Sequence, residues 1–160
     1  MGSKMINETN SNVTVEQFVT ALITNCPLTL TSFENTQPSS DISVHMYYGY
    51  HTGWLEDMDI TCGNELLLKK NAARIIHEFL RLEMHEPDTE DISIANKLRD
   101  LYDCRVCTKH VMQVYAKGII EGYYATDTLY LFGMNEPLTK SETDIIISLI
   151  FDVNKRISVQ

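Results

Sequence analysis

Apolar residues recur at helical spacing in five stretches of this chain, separated by polar links. In VTVEQFVTALITNC, Val15, Phe18, Val19 and Leu22 fall three or four residues apart, which predicts an amphipathic helix ended by Pro27. ELLLKKNAARIIHEFLRLEM sets Ala72, Ile75, Ile76, Phe79 and Leu80 on one side and predicts the strongest helix. SIANKLRDLY predicts a short amphipathic helix, and DCRVCTKHVMQVYAKGII a longer one with Asp103 as its cap. LTKSETDIIISLIFDV predicts a last helix with Ile145, Ile146, Leu149, Ile150 and Val153 inward. The links read differently. Thr31–Asp41 is rich in Ser, Thr, Asn and Pro and reads as a loop. MYYGYHTGW reads as a turn, and Tyr123–Asn135 as a loop with a small strand at Leu129–Phe132. At HEPDTED, Pro87 stops a helix, and Asp88, Thr89 or Asp91 can cap the next. The pattern is mostly α.

Two short elements repeat. Gly49–Trp54 (GYHTGW) and Gly118–Tyr123 (GIIEGY) share glycine, three residues, glycine, aromatic, 69 residues apart (118 − 49). Downstream of each, an apolar helix begins, at Leu68 and at Thr139. Thr14-Val15-Glu16-Gln17 and Thr139-Lys140-Ser141-Glu142 both fit a capping box, in which the threonine oxygen and the third side chain satisfy each other's amides. Leu68-Lys69-Lys70-Asn71 holds the corresponding place without the cap. A helix is expected to end at the first glycine, turn, and restart at the capped residue, and a recurrence of this kind marks repeated supersecondary structure.

These residues resemble the surface-layer homology (SLH) motif. Its helix running into GII-x-G-[YF] matches Gly118-Ile119-Ile120-Glu121-Gly122-Tyr123, its loop phenylalanine matches Phe132, and its I-T-R-A-E matches Leu138-Thr139-Lys140-Ser141-Glu142. The likeness is most complete over residues 103–151; Gly49–Trp54 with Leu67–Phe79 is a second copy, and Val13–Leu22 resembles the closing helix of a third. The resemblance implies helical-hairpin repeats packed in a pseudo-threefold bundle, with at most short β segments. It also implies binding without catalysis, since SLH modules hold anionic cell-wall polymers. Where that motif carries its polymer-facing arginine, this chain has Val15, Lys69 and Lys140, and lysine lacks the planar fork that grips a carboxylate. Lys69, Lys140, Tyr123 and Trp54 are therefore the candidate groove residues. The expected organisation is a tag-like lead-in at 1–11 and one domain at 12–155. That domain comprises a partial repeat at 12–26 and repeats at 41–84 and 88–153.

The chain has 160 residues, with 44% hydrophobic and 22% charged, enough for one globular core. Its net charge of −9 opposes direct binding to nucleic acid or anionic membranes and suits a basic protein surface. No apolar run is long enough to span a membrane, and the N-terminus lacks an export signal, so a cytoplasmic site is expected. A cell-surface site is the alternative if a leader has been trimmed. The four cysteines then read as free thiols.

Cys104-x-x-Cys107-x-x-His110 has the residue types of a zinc site. On a helix, however, Cys104, Cys107, Val111 and Tyr115 make one apolar stripe with His110 at its edge, so core packing is the preferred reading. Arg105 beside a redox Cys-x-x-Cys lacks the βαβ setting that chemistry uses. The other histidines are scattered, and nothing in the chain argues for an enzyme or a cofactor. Tyr47, Tyr48, Tyr50 and Trp54 lie beside Glu56, Asp57 and Asp59: either a turn packed on helices, or an interface patch for a basic partner. A second run of acids (Glu83, Glu86, Asp88, Glu90, Asp91) reads as a solvated connection. The expected function is a cytoplasmic protein–protein interaction on an SLH-like scaffold. The alternatives are a wall-polymer anchor and an acidic inhibitor, of the phage anti-defence type, that occupies a basic nucleic-acid channel.

Overall fold

Two threonines open helices as their spacing predicts. In the computed structural model, which describes residues 11–27 and 42–156, Thr14 Oγ1 accepts the Gln17 amide at 3.1 Å, and Gln17 Oε1 accepts the Thr14 amide at 2.9 Å. Helix α1 (Val15–Thr24) follows. Thr139 and Glu142 make the same reciprocal pair, both bonds at 3.1 Å, at the start of α6 (Lys140–Phe151). Leu68 has no hydroxyl, and α4 (Lys69–Leu82) begins with no side-chain cap. Between these lie α2 (Val44–Thr52), α3 (Asp57–Thr61) and α5 (Thr108–Ala116), with 3-10 turns at Ser93–Lys97 and Val153–Lys155. Strands β1 (Tyr123–Tyr124) and β2 (Tyr130–Leu131) pair antiparallel within the loop expected to hold a strand. Among the described residues the fold is mostly helical, as the apolar spacing predicts. The loop at Thr31–Asp41 and most of the lead-in lie outside those residues.

The chain groups into two compact units: one holds the residues through Leu67 with Pro137–Ile147, the other Leu68–Glu136 with those from Ser148 on. In the first unit, α1 buries Phe18, Val19 and Leu22 completely and packs against α2. Each such side chain contributes about 2 kcal/mol of hydrophobic stabilisation. Three residues that each precede a helix cap meet there in a closed backbone ring. The Val13 amide donates to Leu138 O, the Leu138 amide to Leu67 O, and the Leu67 amide to Val13 O, each at 2.9 Å. All three are buried, so each amide needs a protein partner. The first helical amides are satisfied cyclically too, in the opposite sense round the three segments: Val15 N donates to Glu65 O at 3.0 Å and Lys140 N to Ser11 O at 2.7 Å. In the second unit Lys69 N donates to Glu136 O at 2.9 Å, again two residues before a ring position.

The repeat exists in a different register from the one its glycines suggest. MYYGYHTGW is helix rather than turn. Ser43 Oγ caps α2 by accepting from Met46 N at 3.3 Å, and the helix runs straight through Gly49. A Cβ on Gly49 would come within 2.7 Å of Leu55 Cδ1, so glycine is there for close approach. The left-handed turn falls at Gly53 (φ 96°), and its partner is Gly118 (φ 73°). These are 65 residues apart (118 − 53) rather than 69. After Gly53 the Trp54 and Leu55 amides both donate to Gly49 O; after Gly118 the Ile119 and Ile120 amides both donate to Val114 O. The shared unit is thus helix, left-handed glycine, two buried apolar residues. The second aromatic position is not part of it.

Other elements differ from expectation for local reasons. SIANKLRDLY makes only a 3-10 turn, because the Arg99 amide donates to Tyr130 O at 2.9 Å, while Asp91 takes the Ser93 amide and hydroxyl at 3.1 and 2.6 Å. Asp103 caps nothing; α5 starts at Thr108, after Cys107. On α6, Ile146 and Ile150 are buried as expected, but Ile145 and, beyond the helix, Val153 face solvent at 59% and 61% exposure; Ile147 is buried instead.

Asp100, 8% exposed, anchors the loop before α6. Its carboxylate accepts the amides of Phe132 and Gly133 at 2.8 Å and of Met134 at 3.2 Å. Asp100→Ala leaves buried amides without an acceptor and is expected to cost about 3 kcal/mol. Asp100→Asn, which keeps one acceptor oxygen, should cost less; urea denaturation of both variants measures the difference.

Candidate functional site

Lys140, a residue the family likeness marks, stands exposed on the first turn of α6. In the first unit it lines a cleft of about 430 Å³ with Ser11, Asn12, Gln17, Thr143 and Asp144. Val13 and Ala21 also line it, so its wall is more apolar than polar, and the start of α6 adds the positive end of its dipole to the Lys140 charge. Gln17 faces the cleft because its side chain is held in the α1 capping box.

Lys69 and Tyr123 come together in the second unit. Lys69 is only 8% exposed, with Nζ 5.3 Å from the Tyr123 ring centre, within cation–π range. The Tyr123 hydroxyl donates to Glu136, and that bond pushes its pKa up to about 12. A lysine folded onto a ring and a phenol committed to a carboxylate leave little of this pair for an incoming ligand.

The aromatic–acidic segment divides. Trp54 and Tyr48 are buried at 1% and 3% exposure and belong to the core of the first unit. Tyr47 stacks on His51, and Tyr50 is 45% exposed, its hydroxyl donating to Asp57 at 2.5 Å. That bond raises the Tyr50 pKa. Glu56 and Asp57 are exposed at the start of α3, whereas Asp59 is buried and accepts the Glu56 amide at 2.8 Å. The α2–α3 corner therefore presents Tyr50, Glu56 and Asp57.

The cysteine and histidine readings need correcting. Cys104 and Cys107 are joined as a disulfide, not free thiols; Cys26 and Cys62 form no disulfide. Cys107 is buried as expected, but the pair sits before α5, so the single helical stripe through Cys104 does not form. His110 pairs with another histidine. Its Nδ1 lies 2.8 Å from His77 Nδ1, and His77 Nε2 lies 2.7 Å from Asp88 Oδ1. A carboxylate only accepts, which makes His77 Nε2–H the donor to Asp88. In the tautomer with only that proton, the His77 Nδ1 lone pair faces His110 Nδ1. Both rings are 6% exposed.

The acidic link is not simply solvated either. Glu86 accepts from Lys117 at 2.6 Å and from Arg156 at 3.0 Å; burial pushes its pKa up, but these two cations outweigh burial and lower it. Gln113 bonds both the amide and the carbonyl of Thr89, at 2.9 and 3.1 Å. These contacts hold Asp88 against His77. The histidine chain joins residues 33 positions apart, and sequence gave only a partial signal. His77 falls between Ala73 and Leu80, and His110 between Cys107 and Val114, all at buried helical spacing.

Compared with known proteins, the chain matches no family model, no curated protein and no solved structure.

Burial, with His77, Lys109 and Arg74 nearby, lowers the His110 pKa to about 4, and Glu78 opposes that shift only in part. The unfolded chain binds this proton near the ordinary histidine value of about 6.5, so between the two values it holds more protons than the folded one. Stability is accordingly complete above pH ~6.5 and lost as pH falls toward ~4. Melting curves across that range should show Tm dropping by several degrees, with a shallower slope for His110→Gln.

Proposed function

We propose that this chain is a non-enzymatic binding module, an SLH-like scaffold of helical-hairpin repeats in a pseudo-threefold bundle, acting in a cytoplasmic protein–protein interaction. The closed ring of Val13, Leu67 and Leu138 carries the scaffold part of this reading. The starts of α1, α4 and α6 satisfy backbone amides by one rule, and a cyclic rule of that kind is what threefold packing of repeats requires. The recurrence of the left-handed glycine and its two buried apolar followers at Gly53 and Gly118 supports the same repeat.

The contact surface is the α2–α3 corner. Tyr50 supplies an exposed aromatic anchor, while Glu56 and Asp57 add local negative charge to a chain of net −9. A partner with a basic surface fits this corner, and the charges steer its approach. Trp54 and Tyr48 support the corner from beneath and do not touch the partner. If that partner is a nucleic-acid-binding protein occupied in its basic channel, the binding is inhibitory.

A second reading is favoured by the Lys140 cleft. An exposed ammonium at a helix start, beside amide and hydroxyl groups and opposed by Asp144, suits an anionic group such as a sugar carboxylate on a wall polymer.

Tagged wild-type protein should recover one partner from the source cell, with recovery falling as salt is raised. The Glu56→Lys/Asp57→Lys double variant should recover at least about tenfold less, since two adjacent like charges facing a basic surface cost more than 1.4 kcal/mol. Unchanged recovery by that variant would count against the corner. Sedimentation with purified cell-wall material, abolished by Lys140→Ala and not by the corner variant, would move the function to the cleft.

A further inference from the structure

A buried pair of histidines facing one another nitrogen to nitrogen, with carboxylates on two sides, is an unusual thing to place in a helical core. His77 and Glu78 stand on α4, His110 on α5, and Asp88 on the link after α4. One ring nitrogen each of His77 and His110 and a Glu78 carboxylate oxygen lie within 4.8 Å of one another. We propose that these three atoms bind a single zinc ion, with Asp88 orienting His77 from behind.

Three features point to zinc. The first is the donor set: two imidazoles and one carboxylate suit a borderline cation that takes nitrogen and oxygen in tetrahedral array. The second is Asp88. By accepting from His77 Nε2 at 2.7 Å it fixes the tautomer that turns the Nδ1 lone pair toward the site, the carboxylate–histidine–metal relationship. The third is spacing. Two nitrogens bound at about 2.0–2.1 Å in tetrahedral geometry sit about 3.3 Å apart. The present separation is 2.8 Å, so the rings open slightly as the ion replaces the proton between them. His110 then carries its proton on Nε2.

Charge around the site is mixed, and the donor atoms rather than the local field select the ion. Glu78 and Asp88 bring negative charge; Arg81, bonded to Glu78 at 2.9 Å, and the nearby Arg74 and Lys109 oppose it. The Glu78 side chain is 22% exposed and that of Asp88 49%, so an ion enters from their side and water completes its fourth position. The disulfide keeps Cys104 and Cys107 out of the donor set.

The test uses the full chain, stripped with chelator, desalted and kept non-reducing so that the disulfide persists. Zinc is titrated by calorimetry, with magnesium as control, and cobalt(II) serves as a visible-absorption probe of tetrahedral geometry. One equivalent of zinc is expected, with a rise in Tm and no response to magnesium. His110→Gln and Glu78→Gln should each weaken zinc binding by about tenfold or more, and Asp88→Asn by about ten- to a hundredfold through its hold on His77. Helical circular dichroism of each metal-free variant shows whether it folds. If His110→Gln does not fold, Glu78→Gln and Asp88→Asn decide. No zinc binding by wild type, or affinity unchanged in the folded variants, overturns the proposal; the second result would place the ion on surface histidines such as His45, His51 or His85.

Discussion

The first amides of a helix have no partner within it, and this structure is organised around where those amides go. Each of the three helices opened by a residue after Val13, Leu67 or Leu138 sends its first N–H to the carbonyl of a distant segment. The ring of three bonds among Val13, Leu67 and Leu138 is the same demand met two residues earlier. Because all three residues are buried, none of these groups can turn to water instead. Breaking one link strands a donor and an acceptor together, which makes the ring a constraint on the chain and not a local decoration.

Side chains extend the same logic outward. Asp100 gathers three amides of the loop before α6, and Gln113 holds both polar groups of Thr89. Glu86 is held by Lys117 and Arg156. Each satisfies buried backbone or charge that an irregular link would otherwise leave exposed to an apolar interior. The consequence for function is positional. Asp88 sits where it meets His77 only because the residues on both sides of it are tied down.

The aromatic residues illustrate how burial separates groups that composition places together. Trp54, Tyr48 and Tyr50 look alike as an interface patch. Trp54 and Tyr48 fill the core, Trp54 lying so close to Gly49 that a Cβ there would be 2.8 Å from its ring, and Tyr50 remains outside. A helix turns its residues by about 100° each, so neighbours in sequence part company as soon as one face is buried. The expectation of a turn concealed that division.

By itself the sequence determined the helices whose apolar residues repeat at helical spacing and whose caps are encoded within four residues: α1, α4 and α6 were legible from Thr14, Thr139 and the Ala72–Leu80 stripe. Those signals are local, and local chemistry decides them. The tertiary structure alone decided the repeat register, the Cys104–Cys107 bond, and the meeting of His77, His110 and Asp88. The register turned on which glycine takes positive φ, and that depends on what packs against Gly49. The histidine pair depends on α4 and α5 lying side by side, and a periodic pattern states which face is buried without naming what it is buried against.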